Sequence, residues 1–237
     1  MSGKLYALST GPGAADLITV RAARILGSLD ILYAPAGRKG GDSLALSIVR
    51  EYLGEHTEVR CCHFPMSADS AEKEAVWDDV SRALVREVEA GKQVGFITLG
   101  DAMLFSTWVF LLQRIGSPQW LEIVPGVTSF AAIAARAQMP LAMEQQSLAV
   151  VACTAPEAEI ERALVQHDSL VLMKVYGRFP RIKALLANAG LLDNALLMAE
   201  ATLPGEQCWR NLAEVSDDQP LPYFSTILVN KQWGQGQ

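Results

Sequence analysis

Cysteine is scarce and unpatterned in this chain of 237 residues: Cys61 and Cys62 are adjacent, Cys153 and Cys208 stand alone, and no C-x-x-C pair occurs. That spacing excludes the common structural metal frameworks, so no metal site is expected. On a regular strand Cys61 and Cys62 point to opposite faces, as small residues filling a strand do. Histidine is as scarce, with three in all. His56 and His167 lie in polar connections and are expected to be exposed, and no Ser/His/Asp or Cys/His constellation for nucleophilic catalysis emerges. Mean hydropathy is only +0.18, and no apolar run reaches the ~18 to 20 residues that cross a bilayer. The opening Met1-Ser-Gly-Lys-Leu-Tyr6 leads straight into a strand rather than a cleavable signal peptide, which predicts a cytoplasmic protein. Positive charge is also short. A formal net charge of −6 argues against nucleic acid as a partner, because phosphate binding wants a basic surface.

What is abundant is apolar residues, 50% of the chain, enough to bury the core of one large domain or two modest ones. The first half alternates strand and helix. Strands are predicted at Lys4 to Ser9, Asp30 to Ala34, Val59 to Cys62, Val94 to Ile97 and Leu121 to Val124. Helices are predicted at Thr19 to Leu29, Ser43 to Tyr52, Glu72 to Ala90 and Phe105 to Arg114. Ala22, Ile25, Leu26 and Leu29 recur at helical spacing, and Ser43 is a ready N-cap. Such alternation predicts a mainly parallel sheet with helices on both faces. A helix at Ser129 to Ala137 ends near Met139-Pro140, and the polar Glu144-Gln145-Gln146 then separates a second strand and helix series. Its strands are expected at Ser147 to Cys153, Ser169 to Lys174, Ala195 to Glu200 and Tyr223 to Asn230, its helices at Glu157 to Gln166 and Arg178 to Ala189. A hairpin-like stretch around Gln207 to Glu214 makes this second sheet mixed. The expectation is two α/β domains, 1–140 and 147–237.

Three glycine-containing loops carry the functional signal. The first is Gly11-Pro12-Gly13, where a strand turns sharply and a ligand can approach the main chain. A dinucleotide-binding G-x-G-x-x-G would start the same way, but Asp16 stands where its third glycine belongs. The second is Thr98-Leu99-Gly100-Asp101-Ala-Met103-Leu-Phe105, and the third is Val124-Pro125-Gly126-Val127-Thr128-Ser129. In open parallel sheets ligands bind beyond the carboxyl ends of the strands, so these loops should converge.

In order and content the three loops resemble those of the tetrapyrrole methylase family, whose members read G-x-G-P-G-D-P-x-x-L-T, then G-D-P, then P-G-v-[ST]-S. Ala14-Ala15 stands where the family has Asp-Pro, and Ala102 where it has proline. The resemblance spans the whole chain and implies an S-adenosylmethionine (SAM) dependent methyltransferase with a class III fold, its cofactor folded in a cleft between the two domains. It assigns Leu99, Gly100, Asp101, Met103, Thr128, Ser129, Leu172, Met173 and Ala201 to SAM. Asp101 would accept hydrogen bonds from the ribose or the α-ammonium, and Thr128 and Ser129 would hold the carboxylate at a helix start.

Within the family the chain is most similar to the branch that methylates C20 of precorrin-2 or its cobalt form in cobalamin synthesis. That similarity rests on Tyr33-Ala-Pro35, Ser43 to Ile48, Phe64-Pro-Met66, Trp77 and Ser169 to Tyr176. It implies a tetrapyrrole partner bearing several carboxylates, and a homodimer. Gly11, Pro12, Gly13, Arg38, Lys39, Lys174 and Arg178 are the substrate-binding candidates, with Arg21 and Arg181 as further cations at loops and strand ends. No residue is singled out as catalytic, since an electron-rich ring carbon and an activated methyl need alignment more than acid or base. Three alternatives remain open at this point: the metal-free substrate of the aerobic route, a nucleotide-dependent oxidoreductase, and a SAM-binding module without turnover.

Overall fold

The structure, a computed structural model, describes residues 3–37, 43–65 and 70–233. It divides into two compact units, 1–128 and 129–237.

The first unit holds five strands, β1 (Lys4–Ser9), β2 (Ile31–Ala36), β3 (Glu58–His63), β4 (Gln93–Thr98) and β5 (Leu121–Val124), in the order β3-β2-β4-β1-β5. All pairings are parallel. Helices α1 (Val20–Leu26), α2 (Leu44–Val49), α3 (Ser70–Glu89) and α4 (Trp108–Ile115) cover both faces. Alternation along each strand decides which core a side chain enters. Leu5, Ala7, Ile31, Tyr33, Val94 and Phe96 pack with Leu84 and Val88 of α3 and Trp108 and Leu111 of α4. Leu8, Leu32, Ala34 and Ile97 face the other way, onto Ala22 and Leu26 of α1 and Leu46 and Ile48 of α2. Burial on both sides explains why these strands read as unbroken apolar runs.

The hydroxyls of Thr19 and Ser43 accept from the Ala22 and Leu46 amides, each at 3.2 Å, and so start α1 and α2 as N-caps. Helix α1 is shorter than its apolar face, because the chain leaves it at Gly27 while Leu29 still fills the same core. The predicted second helix likewise splits into α2 and a 3-10 turn at Arg50–Tyr52.

The second unit holds α5 (Ser129–Ala137), β6 (Leu148–Ala152), α6 (Glu157–Gln166), β7 (Ser169–Met173), α7 (Phe179–Asn188), β8 (Ala195–Ala199), β9 (Gln207–Trp209) and β10 (Ser225–Asn230). Its sheet order is β6-β7-β10-β8-β9. Strands β6 and β7 are parallel, whereas β10 runs antiparallel to β7 and β8 and β9 runs antiparallel to β8, giving the mixed sheet that was expected. Leu170 and Leu172 of β7 enter a core with α6 and α7, and Val171 enters the opposite core with Ile133 and Ala137 of α5.

The division between the units differs from the expected one by α5 and the segment after it. Ile133, Ala137 and Met139 are buried with Leu196 and Leu228 of the second sheet. The fully buried Asn230 then ties the segment down, donating to the Pro140 carbonyl at 3.0 Å and to Gln146 Oε1 at 3.2 Å. His56 is exposed as expected. His167 is not: it closes α6 half-buried, with Nδ1 shielded and without a hydrogen-bond partner.

Candidate functional site

Strands β4, β1 and β5 are neighbours in the first sheet, so the three glycine loops that follow them leave one edge side by side. The loops are bonded to one another. Gly11 N donates to the Gly100 carbonyl at 3.2 Å, and Gly100 N donates back to Gly11 at 2.7 Å. Both glycines take left-handed angles, φ 76° and φ 71°, which a side chain would strain. A Cβ on Gly126 would lie 2.5 Å from Ser9 Cβ and 2.7 Å from the Gly100 carbonyl oxygen, so only glycine lets the third loop approach the other two.

Two side chains complete the junction. The Asp101 carboxylate spans the second and third loops, Oδ1 accepting from Met103 N at 2.9 Å and Oδ2 from Gly126 N at 2.8 Å. Fully buried Ser9, at the head of the first loop, ties it to the other two, donating to the Val124 carbonyl at 2.7 Å and accepting from Ala102 N at 2.9 Å. Beside it the hydroxyl of Thr10 is buried without a hydrogen-bond partner. Met103 and Phe105 stand about half exposed on the second loop, and Leu99 packs against the α1/α2 core. Gly126 was legible as part of the third loop's motif, but Ser9 and Thr10 were not among the expected site residues. The one local sign was a pair of hydroxyl residues closing an otherwise apolar strand.

The substrate candidates separate. Gly11, Pro12 and Gly13 are buried, and a Cβ on Gly11 would meet the Leu17 carbonyl oxygen at 2.9 Å, so the first loop is packed against its own chain as well as against Gly100. Arg38 and Lys39 lie outside the described residues. Lys174 follows β7 half-buried, in a left-handed conformation with φ 59°. Arg178 donates through one guanidinium nitrogen to the Cys153 and Ala155 carbonyls, which clamps the turn between β6 and α6. Arg21 is paired with Glu122 and Arg181 with Glu157. Thr19 caps α1.

Of the second-unit cofactor candidates, Met173 ends β7 and Ala201 follows β8, at the same end of the sheet, because residues 173 and 198 both pair with Thr226. The Leu172 side chain is fully buried with Ile160, Leu164 and Ile182, on the sheet face opposite Val171. Thr128 and Ser129 stand half-buried at the start of α5.

Among the described residues no group of three or more His, Cys, Asp and Glu side chains is placed to hold a metal ion. A cavity of about 340 Å³ lies on the α3/α4 flank, away from the strand ends, and its Arg82 and Arg114 are ion-paired with Asp79 and with Glu74 and Asp78. Burial pushes the Cys153 thiol up to about 12 and the Cys62 thiol to about 11, which removes both as nucleophiles near neutral pH.

A parallel sheet whose three adjacent strands end in interlocked glycine loops, joined to a mixed α/β unit, defines the class. The chain belongs to the tetrapyrrole (corrin/porphyrin) methylases, whose family model matches residues 4–216. It is 86% identical, over 98% of both chains, to a cobalt-precorrin-2 C(20)-methyltransferase of Salmonella typhimurium. To a precorrin-2 C(20)-methyltransferase of a Sinorhizobium species it is 31% identical, over 96% of this chain and 95% of the other. Among solved structures it matches a cobalt precorrin-4 methyltransferase with a TM-score of 0.72 and 25% identity, covering 96% of this chain and 94% of that one.

Proposed function

We propose that this protein transfers the methyl group of SAM to C20 of cobalt-precorrin-2 (cobalt-factor II) on the route to cobalamin. The observation that carries this reading is the 86% identity over 98% of both chains to the Salmonella C(20)-methyltransferase. The nucleotide-dependent oxidoreductase reading loses its footing. It needs Gly11 free for a pyrophosphate and leaves Asp101 and Gly126 without a purpose, whereas all three hold the loop junction together.

The residues present suit SAM. After accepting two amides, each Asp101 oxygen keeps a lone pair for a ribose hydroxyl or the α-ammonium. Met103, with Leu99 and Phe105, offers apolar surface for the adenosine, and the partnerless Thr10 hydroxyl is a group that a polar ligand would satisfy. Gly100, Thr128, Ser129, Met173 and Ala201 complete the proposed cofactor set. Gly11, Pro12, Gly13, Lys174, Arg38 and Lys39 form the proposed tetrapyrrole set.

When bound, SAM supplies a methyl already activated as a sulfonium. The electron-rich C20 takes that methyl as the carbon–sulfur bond breaks, and the proton on C20 then leaves. The task of the protein is to align donor and acceptor and exclude water, and the rigid loop junction serves alignment by fixing the main chain on which the donor rests. The protein acts as a homodimer in the cytoplasm, a reading drawn from the family.

Calorimetry with S-adenosylhomocysteine in the presence of a chelator, followed by anaerobic turnover of cobalt-bearing and metal-free precorrin-2, tests the proposal. Expected are metal-independent binding and preferred turnover of the cobalt form. Absence of binding would refute the SAM assignment, and preferred turnover of the metal-free form would move the enzyme to the aerobic reaction. Light scattering should give twice the 25.7 kDa of one chain.

A further inference from the structure

Three aromatic rings gather on the surface of the second unit in a chain only 7% aromatic. Tyr176 is 55% exposed, Tyr223 47% and Phe224 42%. The Tyr176 and Tyr223 rings lie 6.0 Å apart at 57°, and those of Tyr223 and Phe224 lie 5.1 Å apart, edge to face. Rings kept together in water rather than in a core mark a surface with something to bind.

Their place in the sheet narrows what that is. Thr226 pairs with Met173 and Ser225 with Ala199, so the residues just before β10 flank those just after β7 and β8. Met173, Lys174, Tyr176, Glu200, Ala201, Tyr223 and Phe224 therefore share one end of the sheet. Three residues at this end, Lys174 (φ 59°), Glu200 (φ 49°) and Thr202 (φ 67°), hold left-handed backbone angles without being glycine. Such strain persists only where the surroundings enforce it, and it concentrates at ligand sites.

The bracing is visible. Glu200 N donates to the Phe224 carbonyl at 2.8 Å, Ser225 Oγ donates to the Pro222 carbonyl at 2.6 Å, and Glu206, itself paired with Arg136, accepts from Thr202 N at 2.7 Å. This end is held in shape, not frayed.

We infer that Tyr176, Tyr223 and Phe224 form an aromatic platform on which the macrocycle of the tetrapyrrole lies, with Lys174 at its edge meeting one of the peripheral carboxylates. The inference rests on the methyltransferase reading above and adds to it a substrate-recognising surface. A tetrapyrrole is the occupant whose chemistry fits, for it offers a broad conjugated face to the rings and a carboxylate rim to the ammonium.

The test uses full-length enzyme with Tyr176→Leu and Tyr223→Leu, singly and combined, assayed beside Tyr176→Phe and Tyr223→Phe. Wild-type turnover of anaerobically prepared cobalt-precorrin-2 first establishes the parent reading independently of the platform. The combined leucine variant is then expected to raise the tetrapyrrole KM at least about tenfold, to keep S-adenosylhomocysteine affinity within about twofold, and to be largely rescued by the phenylalanine pair. An unchanged tetrapyrrole KM would overturn the platform. Loss of S-adenosylhomocysteine binding in a folded variant would assign the rings to the cofactor instead, and a halved mass in light scattering would assign them to contact between copies of the chain. If wild-type enzyme transfers no methyl group to the tetrapyrrole, quenching of a Tyr176→Trp reporter by uroporphyrin decides the platform separately: quenching supports it and absence of quenching overturns it.

Discussion

Replacing Asp101 by asparagine removes the charge while keeping the shape, and so isolates what the carboxylate does. Its two oxygens each accept a backbone amide, from Met103 at 2.9 Å and from Gly126 at 2.8 Å. Asparagine has one acceptor oxygen, so one amide would instead face an NH2 group. A hydrogen bond to a charged group contributes roughly 1.5 to 3 kcal/mol. The bond to Met103 is exposed and worth less, whereas that to Gly126 is partly buried, and we expect a net loss of about 2 kcal/mol. For a chain of this length that lowers Tm by roughly 4 to 8 °C in scanning calorimetry. Because the same carboxylate is proposed to touch SAM, affinity for S-adenosylhomocysteine should also fall by about tenfold, or ~1.4 kcal/mol. A Tm within about a degree of wild type would refute the clamp. A lower Tm with unchanged affinity in the folded variant would leave Asp101 as a brace between loops and no more.

Gly126→Ala places a Cβ 2.5 Å from Ser9 Cβ, and chemical denaturation should show a loss of about 3 kcal/mol, against under about 0.5 for Gly37→Ala, whose Cβ meets nothing within 4 Å. Hydrogen bonds from Lys92 and Arg60 hold the Glu87 carboxyl below its ordinary 4.5, as Arg136 and the Thr202 amide do for Glu206. A depressed carboxylate stabilises the fold fully above its unfolded pKa and loses that contribution as pH falls through the folded value. Tm should therefore stay level from neutral pH down to about 5 and fall below about 4.5, with a shallower acid limb in Glu87→Gln; an unaltered limb would remove Glu87 from the account. Exposed Cys61 and Cys208 should take up a maleimide in the native protein, while Cys153 reacts only on unfolding, and labelling of Cys153 under native conditions would contradict its burial.

Much of the fold was written locally. Thr19 and Ser43 announce helix starts because a cap is satisfied within three residues, and the apolar runs of β1, β4 and β7 announce strands buried on both faces. The glycine loops were legible as loops. What they do to each other was not. Ser9 reaches Val124 across 115 positions and Asp101 reaches Gly126 across 25, and no local pattern marks such partners. The same reason hides the roles of Arg178 and Leu172. A cation near a strand end and an apolar residue on a strand can each face a ligand or the interior, and only the sheet's alternation and the path of the turn after β6 decide. Helix α5 read correctly as a helix, yet its allegiance depended on Ile133 and Ala137 finding Leu196 and Leu228, far along the chain.

The central claim is the site of methylation, and the position of a labelled methyl group tests it most directly. Anaerobic incubation of the protein with cobalt-precorrin-2 and SAM carrying a 13C methyl, followed by NMR of the product, should show a single labelled methyl on C20, with one S-adenosylhomocysteine formed per methyl transferred. Label on another ring carbon, or S-adenosylhomocysteine formed without a labelled tetrapyrrole, would contradict it.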